Sequence, residues 1–164
     1  MQLNFRDGGV LKGVYTLIIS LKEPITLKIG KLGTFTFPSG TYTYTGSAMG
    51  IGALSLENRI NRHLRRRKKL KWHIDYFLNS KHTQIESIIY AETDRKSECI
   101  VTKQIEKLGM VHVPVEKFGA SDCKKGCHAH LHHFKCNSSQ AQEIITKIYS
   151  KVGLKPKLFN KHFL

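Results

Sequence analysis

Val14-Tyr15-Thr16-Leu17-Ile18-Ile19-Ser20-Leu21 decides how the first half of this chain is built. Its residues are mostly β-branched or apolar, Gly13 precedes it and Pro24 closes it, so it reads as a buried strand. It is the longest apolar run in the chain and is far too short to cross a bilayer. Downstream, Ile25, Leu27 and Ile29 alternate with Thr26 and Lys28, as a half-buried strand requires. Phe35 and Phe37 alternate with threonines, and Pro38-Ser39-Gly40 is a turn. In Thr41 to Thr45, Tyr42 and Tyr44 share one face and the threonines share the other. Strands this close in sequence are expected to pair antiparallel.

Helical periodicity takes over further along. Ser55 is placed to cap a helix that runs through Leu56, Ile60 and Leu64 at i, i+4, i+8. Arg59 and His63 each sit one position ahead of that stripe and stack at its edge, while Arg62, Arg65 and Arg66 turn toward solvent. A second helix covers His73 to Leu78, Ile85 to Tyr90 is a strand, and Leu131 to Phe134 is a short strand. Ile100, Val101, Ile105 and Leu108 mark a helix that Gly109 would end. Ser139 and Gln142 form a capping box for a last helix bearing Ile144, Ile145, Ile148 and Val152, stopped by Gly153. The basic tail after Pro156 is expected to be loosely held. The predicted fold is α+β: a small mixed or antiparallel sheet flanked by helices, one domain with a C-terminal helix. Residues 1–136 would form the main domain, including a Cys/His-rich segment at 121–136. Residues 137–164 would form the C-terminal helix and basic tail, packed on that domain or trailing from it.

Charge is the second signal. The thirteen residues from Arg59 to Lys71 hold eight of the chain's 27 lysines and arginines and no acid, within a net charge of +15. A cationic excess packed this tightly attracts polyanions, chiefly nucleic acid phosphates. Arg62, Arg65, Arg66, Arg67, Lys68, Lys69 and Lys71 would grip the backbone without reading sequence.

Gly13-Val14-Tyr15 on the first strand and Tyr44-Thr45-Gly46 on a later one resemble the paired tripeptides of the GIY-YIG nuclease family. Gly46-Ser47-Ala48 is similar to the segment after the family's second tripeptide. Arg59 and His63 resemble its helical arginine and companion, and Glu98 its single metal-holding acid. The insert from Thr26 to Pro38, the segment from Lys71 to Tyr76, the Glu98-Cys99 pair and the segment from Phe118 to Cys123 resemble the Uri-type branch of small stand-alone proteins. The resemblance covers roughly Val10 to Phe134. The segment after Cys123 is longer than that branch's usual pattern.

The resemblance implies a metal-dependent endonuclease that hydrolyses phosphodiesters by a one-metal scheme, with DNA expected before RNA. Tyr15 would be general base or water-positioner, with Tyr44 beside it as phosphate ligand or alternate base. Arg59 would bridge the scissile phosphate, and His63 or His73 would relay a proton or bind phosphate. Glu98 would hold one Mg²⁺ or Mn²⁺ that keeps several waters. Independently, only Asp7, Glu23 and Glu57 precede the basic block, too few acids beside the tyrosines for a two-metal site. Tyrosine has an ordinary pKa of about 10, so its use as a base calls for a cationic neighbourhood.

Plainer readings stand beside these. The tyrosines suit strand core, Arg59 suits a solvated helix face, and Glu98 suits a first-turn helix acid. Trp72 reads as a helix-junction residue. Cys123 and Cys127, completed by His130 and Cys136, are spaced for a structural Zn²⁺; the alternative is a reduced Cys/His hairpin. No signal-peptide pattern opens the chain, so the cytosol, thiols in place of disulfides, and no membrane partner are expected. A non-catalytic nucleic-acid-binding module on the same fold, with or without zinc, is the competing functional reading.

Overall fold

The computed structural model describes residues 11–160. In chain order the elements are β1 (Gly13–Leu21), β2 (Ile25–Ile29), β3 (Gly33–Phe37), β4 (Gly40–Ala48), α1 (Leu56–Leu64), α2 (His73–Leu78) and β5 (Thr83–Glu92). They continue with α3 (Glu98–Glu106), β6 (Val111–His112), β7 (Leu131–Phe134), α4 (Ser138–Lys151) and β8 (Lys157–Asn160). Six strands form one sheet in the order β6-β7-β4-β1-β5-β8, while β2 and β3 form a separate hairpin inserted between β1 and β4. Every pairing is antiparallel. The fold is α+β, as the periodicities predict.

β1 is the central strand, and both of its faces are covered. Tyr15, Leu17, Ile19 and Leu21 pack with residues of α1 and α2, including Leu56, Ile60, Ile74 and Phe77. Val14 and Ile18 pack on the other side with Val101 and Ile105 of α3 and Ala141, Ile145 and Tyr149 of α4. A strand buried on two faces needs a near-continuous apolar run, which is why its sequence alternates so little. Thr16, turned toward α4, is satisfied by Thr45 Oγ1 and Tyr149 Oη, both at 2.9 Å. The C-terminal helix is therefore part of the core.

Several local expectations shift. The cap of α4 is Asn137, which accepts from Gln140 N while Gln140 Oε1 accepts from Asn137 N. The same three-residue spacing as Ser139/Gln142 occurs two residues earlier, and asparagine caps as well as serine does. α3 ends at Glu106, and a tight turn from Leu108 N to Ile105 O closes it before Gly109 is reached. Gly153, at φ +85, does stop α4. The tail expected to be loose instead pairs with β5 as far as Asn160, and so covers an edge strand that would otherwise present unpaired amides. Residues 161–164 lie outside the described residues. Among the described residues no helix is long and apolar enough to cross a membrane.

Candidate functional site

The two glycine–tyrosine segments meet by strand register. Tyr15 pairs with Gly46 and Leu17 with Tyr44 across β1 and β4, which sets the two tyrosines diagonally on one face. Gly46 is needed there: a Cβ would stand 2.6 Å from Tyr15 Oη. Gly13 has an equally local reason, since a Cβ would lie 2.2 Å from the Ala91 carbonyl oxygen. Tyr42, on the same face, is buried core and donates to Pro38 O at 2.5 Å.

Both site tyrosines are almost wholly buried, and burial pushes their hydroxyls well above the ordinary range even though the Arg59 charge acts against it. The cationic neighbourhood expected to lower them is present, but desolvation outweighs it. Tyr15 Oη and His63 Nε2 share a hydrogen bond of 2.7 Å. His63 is 2% exposed, and burial, reinforced by the Lys68, Arg62 and Arg59 charges, pushes its pKa down to about 3. His63 is thus a neutral partner behind Tyr15 and does not line the cleft. Ile60 to His63 is i, i+3, so the helix face that packs on the sheet carries His63 inward, and Leu64 is only half-buried. In the tautomer whose Nε2 accepts from Tyr15, the proton sits on Nδ1; that atom is buried without a partner among the described residues.

Arg59 is held from two directions. It donates to Ser47 O at 2.7 Å, and its guanidinium carbon lies 5.1 Å from the centre of the Trp72 ring. Arg62 stacks on the same ring at 4.4 Å and forms a two-pronged ion pair with buried Asp75 at 2.7 and 2.8 Å. Asp75 also accepts from the backbone of Lys71 and Trp72, capping α2. Burial opposes its charge, but Arg62 and those N–H groups hold its carboxyl below the ordinary value. Trp72 is a helix-junction residue that sets the pose of two arginines.

Tyr15, Tyr44, Arg59, His73 and Glu98 line one cleft of about 940 Å³. β1, β4, α1, α2 and α3 each supply one of them. Glu98 opens α3, and its carboxylate has no hydrogen bond or ion pair with any described residue. His73 reaches the cleft but its Nδ1 accepts from Gly119 N at 2.9 Å, so it also holds the loop opposite. That loop approaches Tyr44 closely at Gly119, whose φ of +71 and missing side chain make the contact feasible; a Cβ there would lie 2.9 Å from the ring. Glu92 pairs with Lys157 and Glu106 with His132, so neither is available to the cleft.

The basic block divides differently from its expected reading. Arg65, Arg66, Arg67, Lys69 and Lys71 are exposed. Arg62 is committed to Asp75. Lys68 caps α1 by donating to Arg62 O and His63 O at 3.1 and 2.9 Å, and burial lowers its pKa to about 8. These two cations are structural because the helix end and a buried carboxylate both need a positive partner. Of the block, only Arg59 and Lys71 line the cleft. Its other cationic lining residues, Lys96, Lys124 and Lys125, come from two distant loops that no contiguous run points to.

The cysteine set also changes. Cys99, Cys123, Cys127 and His130 bring their ligating atoms within 4.8 Å of one another, an arrangement able to hold a metal ion. Cys136 is not part of it. It lies two residues past β7 and packs instead into the core under α3 and α4, in the cluster that Val111 and Ile144 also join. Cys99, 24 residues before Cys123, takes the fourth place, at 3.5 Å from Cys123 Sγ. Burial raises the Cys99 and Cys127 thiols. Cys123 is also raised by burial, but the Cys127 and Lys125 backbone N–H groups and the two neighbouring thiols bring it down to about 7.

Residues 14–153 match a family model described as Domain of unknown function DUF123. The chain belongs to that family. The match runs from β1 through the end of α4, so the family unit contains the whole cleft, the Cys/His group and the helix that covers the second core. No curated protein and no solved structure matches this DUF123 chain.

Proposed function

We propose that this DUF123 protein is a metal-dependent endonuclease of the GIY-YIG type, acting on DNA before RNA. One observation carries the reading: five separate elements deliver Tyr15, Tyr44, Arg59, His73 and Glu98 to a single cleft whose rim bears Lys71, Lys96, Lys124 and Lys125. A binding module has no use for two buried tyrosines, an oriented arginine and an unpaired carboxylate in one cavity.

Phosphodiester hydrolysis needs an activated water, neutralised phosphoryl oxygens and a stabilised departing oxygen. Arg59, fixed by Ser47 O and Trp72, meets the scissile phosphate. The rim lysines hold the flanking phosphates. Tyr15 orients the water, and its resting protonated state makes it a relay. Its oxygen takes the water's proton while its own passes to His63 Nε2, so one proton enters as one leaves. The incoming phosphate's negative charge raises the affinity of His63 for that proton. Tyr44, diagonal to Tyr15, donates to a phosphoryl oxygen.

Glu98 fits a divalent ion: a lone, unpaired carboxylate in a cleft suits Mg²⁺ or Mn²⁺, which keep most of their waters and take further ligands from a phosphate. Such an ion, when bound, supplies charge neutralisation at the phosphate and the leaving oxygen.

The test is cleavage of a panel of labelled DNA and RNA structures with Mg²⁺, Mn²⁺ or EDTA, beside Glu98→Ala, Arg59→Ala and Tyr15→Phe. Each variant is expected to lose at least about 10²-fold in rate with its circular dichroism spectrum unchanged. Unimpaired cleavage by all three, or tight binding without any cleavage by the parent chain, sinks the proposal.

A further inference from the structure

The loop between β6 and β7, residues 113–130, walls one side of the cleft and contains no helix or strand. A structureless connection this long inside a compact fold needs something to hold it. Its outer half has little: Cys99, Ala120, Cys127 and Cys123 form a cluster of small side chains, separate from both main cores. Burying so little apolar surface contributes only a small part of the ordering cost, and small cores are commonly stapled by a metal or disulfides. The four cysteines are free thiols.

We propose that Cys99, Cys123, Cys127 and His130 bind one Zn²⁺, and that this ion clamps the loop wall of the cleft to the first turn of α3, which carries Glu98. The donor set is the three-thiolate, one-imidazole type that favours tetrahedral zinc over hard ions. A tetrahedron with zinc–sulfur bonds of about 2.3 Å has edges near ~3.8 Å, against 3.5 Å between the Cys99 and Cys123 sulfurs and no more than 4.8 Å across the whole set. His130 supplies an independent sign: its Nε2 is buried with no hydrogen-bond partner among the described residues. An orphaned buried nitrogen is costly, and an ion coordinated there would satisfy it.

Binding releases the protons of the three thiols to solvent and leaves the site with one net negative charge, which Lys124 and Lys125 flank in sequence. The ligands come from both sides of the cleft rim. Cys99 is next to Glu98, and Cys123, Cys127 and His130 bracket the loop that contributes Asp122, Lys124 and Lys125 to the lining. The clamp's effect on cleavage rests on the proposed nuclease reading; the zinc assignment does not.

The experiment is elemental analysis of the full chain, purified untagged and without added metal. About one zinc per chain is expected, and replacement by Co²⁺ should give the intense visible bands of tetrahedral thiolate ligation. Cys99→Ser and Cys127→Ser should lose the metal, and Cys136→Ser should keep it. Should the first two variants fail to fold, the parent stoichiometry and Cys136→Ser still decide the matter. Near-zero zinc with four freely titrating thiols would overturn the assignment, as would zinc lost from Cys136→Ser. For the clamp, chelation should speed amide exchange in residues 95–100 and 113–130 by about tenfold or more, with β1 and β4 unchanged. Unchanged exchange in both segments overturns that role. Neither readout involves a substrate, so a chain that cleaves nothing is judged on the zinc question all the same.

Discussion

The cleft has two walls, and they are held together by different physics. The first, built from β1, β4 and α1, presents Tyr15, Tyr44 and Arg59 from the largest core of the molecule, with strand register and the Asp75–Arg62 pair fixing each pose. The second, residues 113–130, rests on Val115 and Phe118 at one end and on a cluster of cysteines and Ala120 at the other. Hydrophobic burial positions the groups that would meet the scissile phosphate. Ligand chemistry, on our proposal, positions the groups that would surround it. Stability and site geometry are therefore separable: damage to the first wall should unfold the protein, while damage to the second should loosen it locally.

Asp75→Ala attacks the first wall most severely. It leaves Arg62 without its carboxylate, removes the cap of α2 and frees Trp72, which also orients Arg59. A loss of about 3–5 kcal/mol in urea unfolding is expected, since one partner of a buried pair is left uncompensated. A loss under about 1 kcal/mol would mean the two walls do not differ in the way described.

His63 gives the first wall a pH signature of its own. Its pKa falls from an unfolded value near 6.5 to about 3 in the fold. Above pH 6.5 both states are neutral and its contribution is complete. As pH drops from 6.5 toward 3 the unfolded chain takes up a proton that the folded chain refuses, so stability declines, by no more than about 4 kcal/mol. His63→Gln should flatten that part of the stability curve. An unchanged slope between pH 6 and 4 would show that His63 is not held neutral.

The smallest effect on folding belongs to the exposed cations. Arg66→Ala with Arg67→Ala should leave unfolding within about 0.5 kcal/mol of the parent. The dependence of DNA binding on salt should nonetheless become shallower by about two in log–log slope. An identical slope would restrict phosphate contact to the cleft rim.

Much of this was legible in the chain. β2, α2 and β7 have their predicted bounds, because alternation and helical periodicity are local and the flanking residues mark their ends. Glu98 was expected at the opening of α3, and Tyr15 and Tyr44 on two separate strands, which the sheet then sets side by side. The departures share a cause. His63 turned inward because two helix faces, one residue apart, are hard to separate by apolar spacing when a histidine sits on one of them. Lys68 and Arg62 look like any other cation in a basic run until a helix end and a buried carboxylate claim them. Cys136 had better spacing than Cys99, and only the packing reveals that it is taken up by the core under α3 and α4.

The sequence by itself determined most of the strands and helices and the cationic surplus, since each is written in contiguous composition or short-range period. Tertiary structure alone decided which cations are spent on folding, that Tyr15 and His63 share a buried hydrogen bond, and that Cys99 meets Cys123, 24 residues further on. Those outcomes depend on where separate elements dock and on how much water docking removes, and neither quantity is encoded in any short stretch of chain.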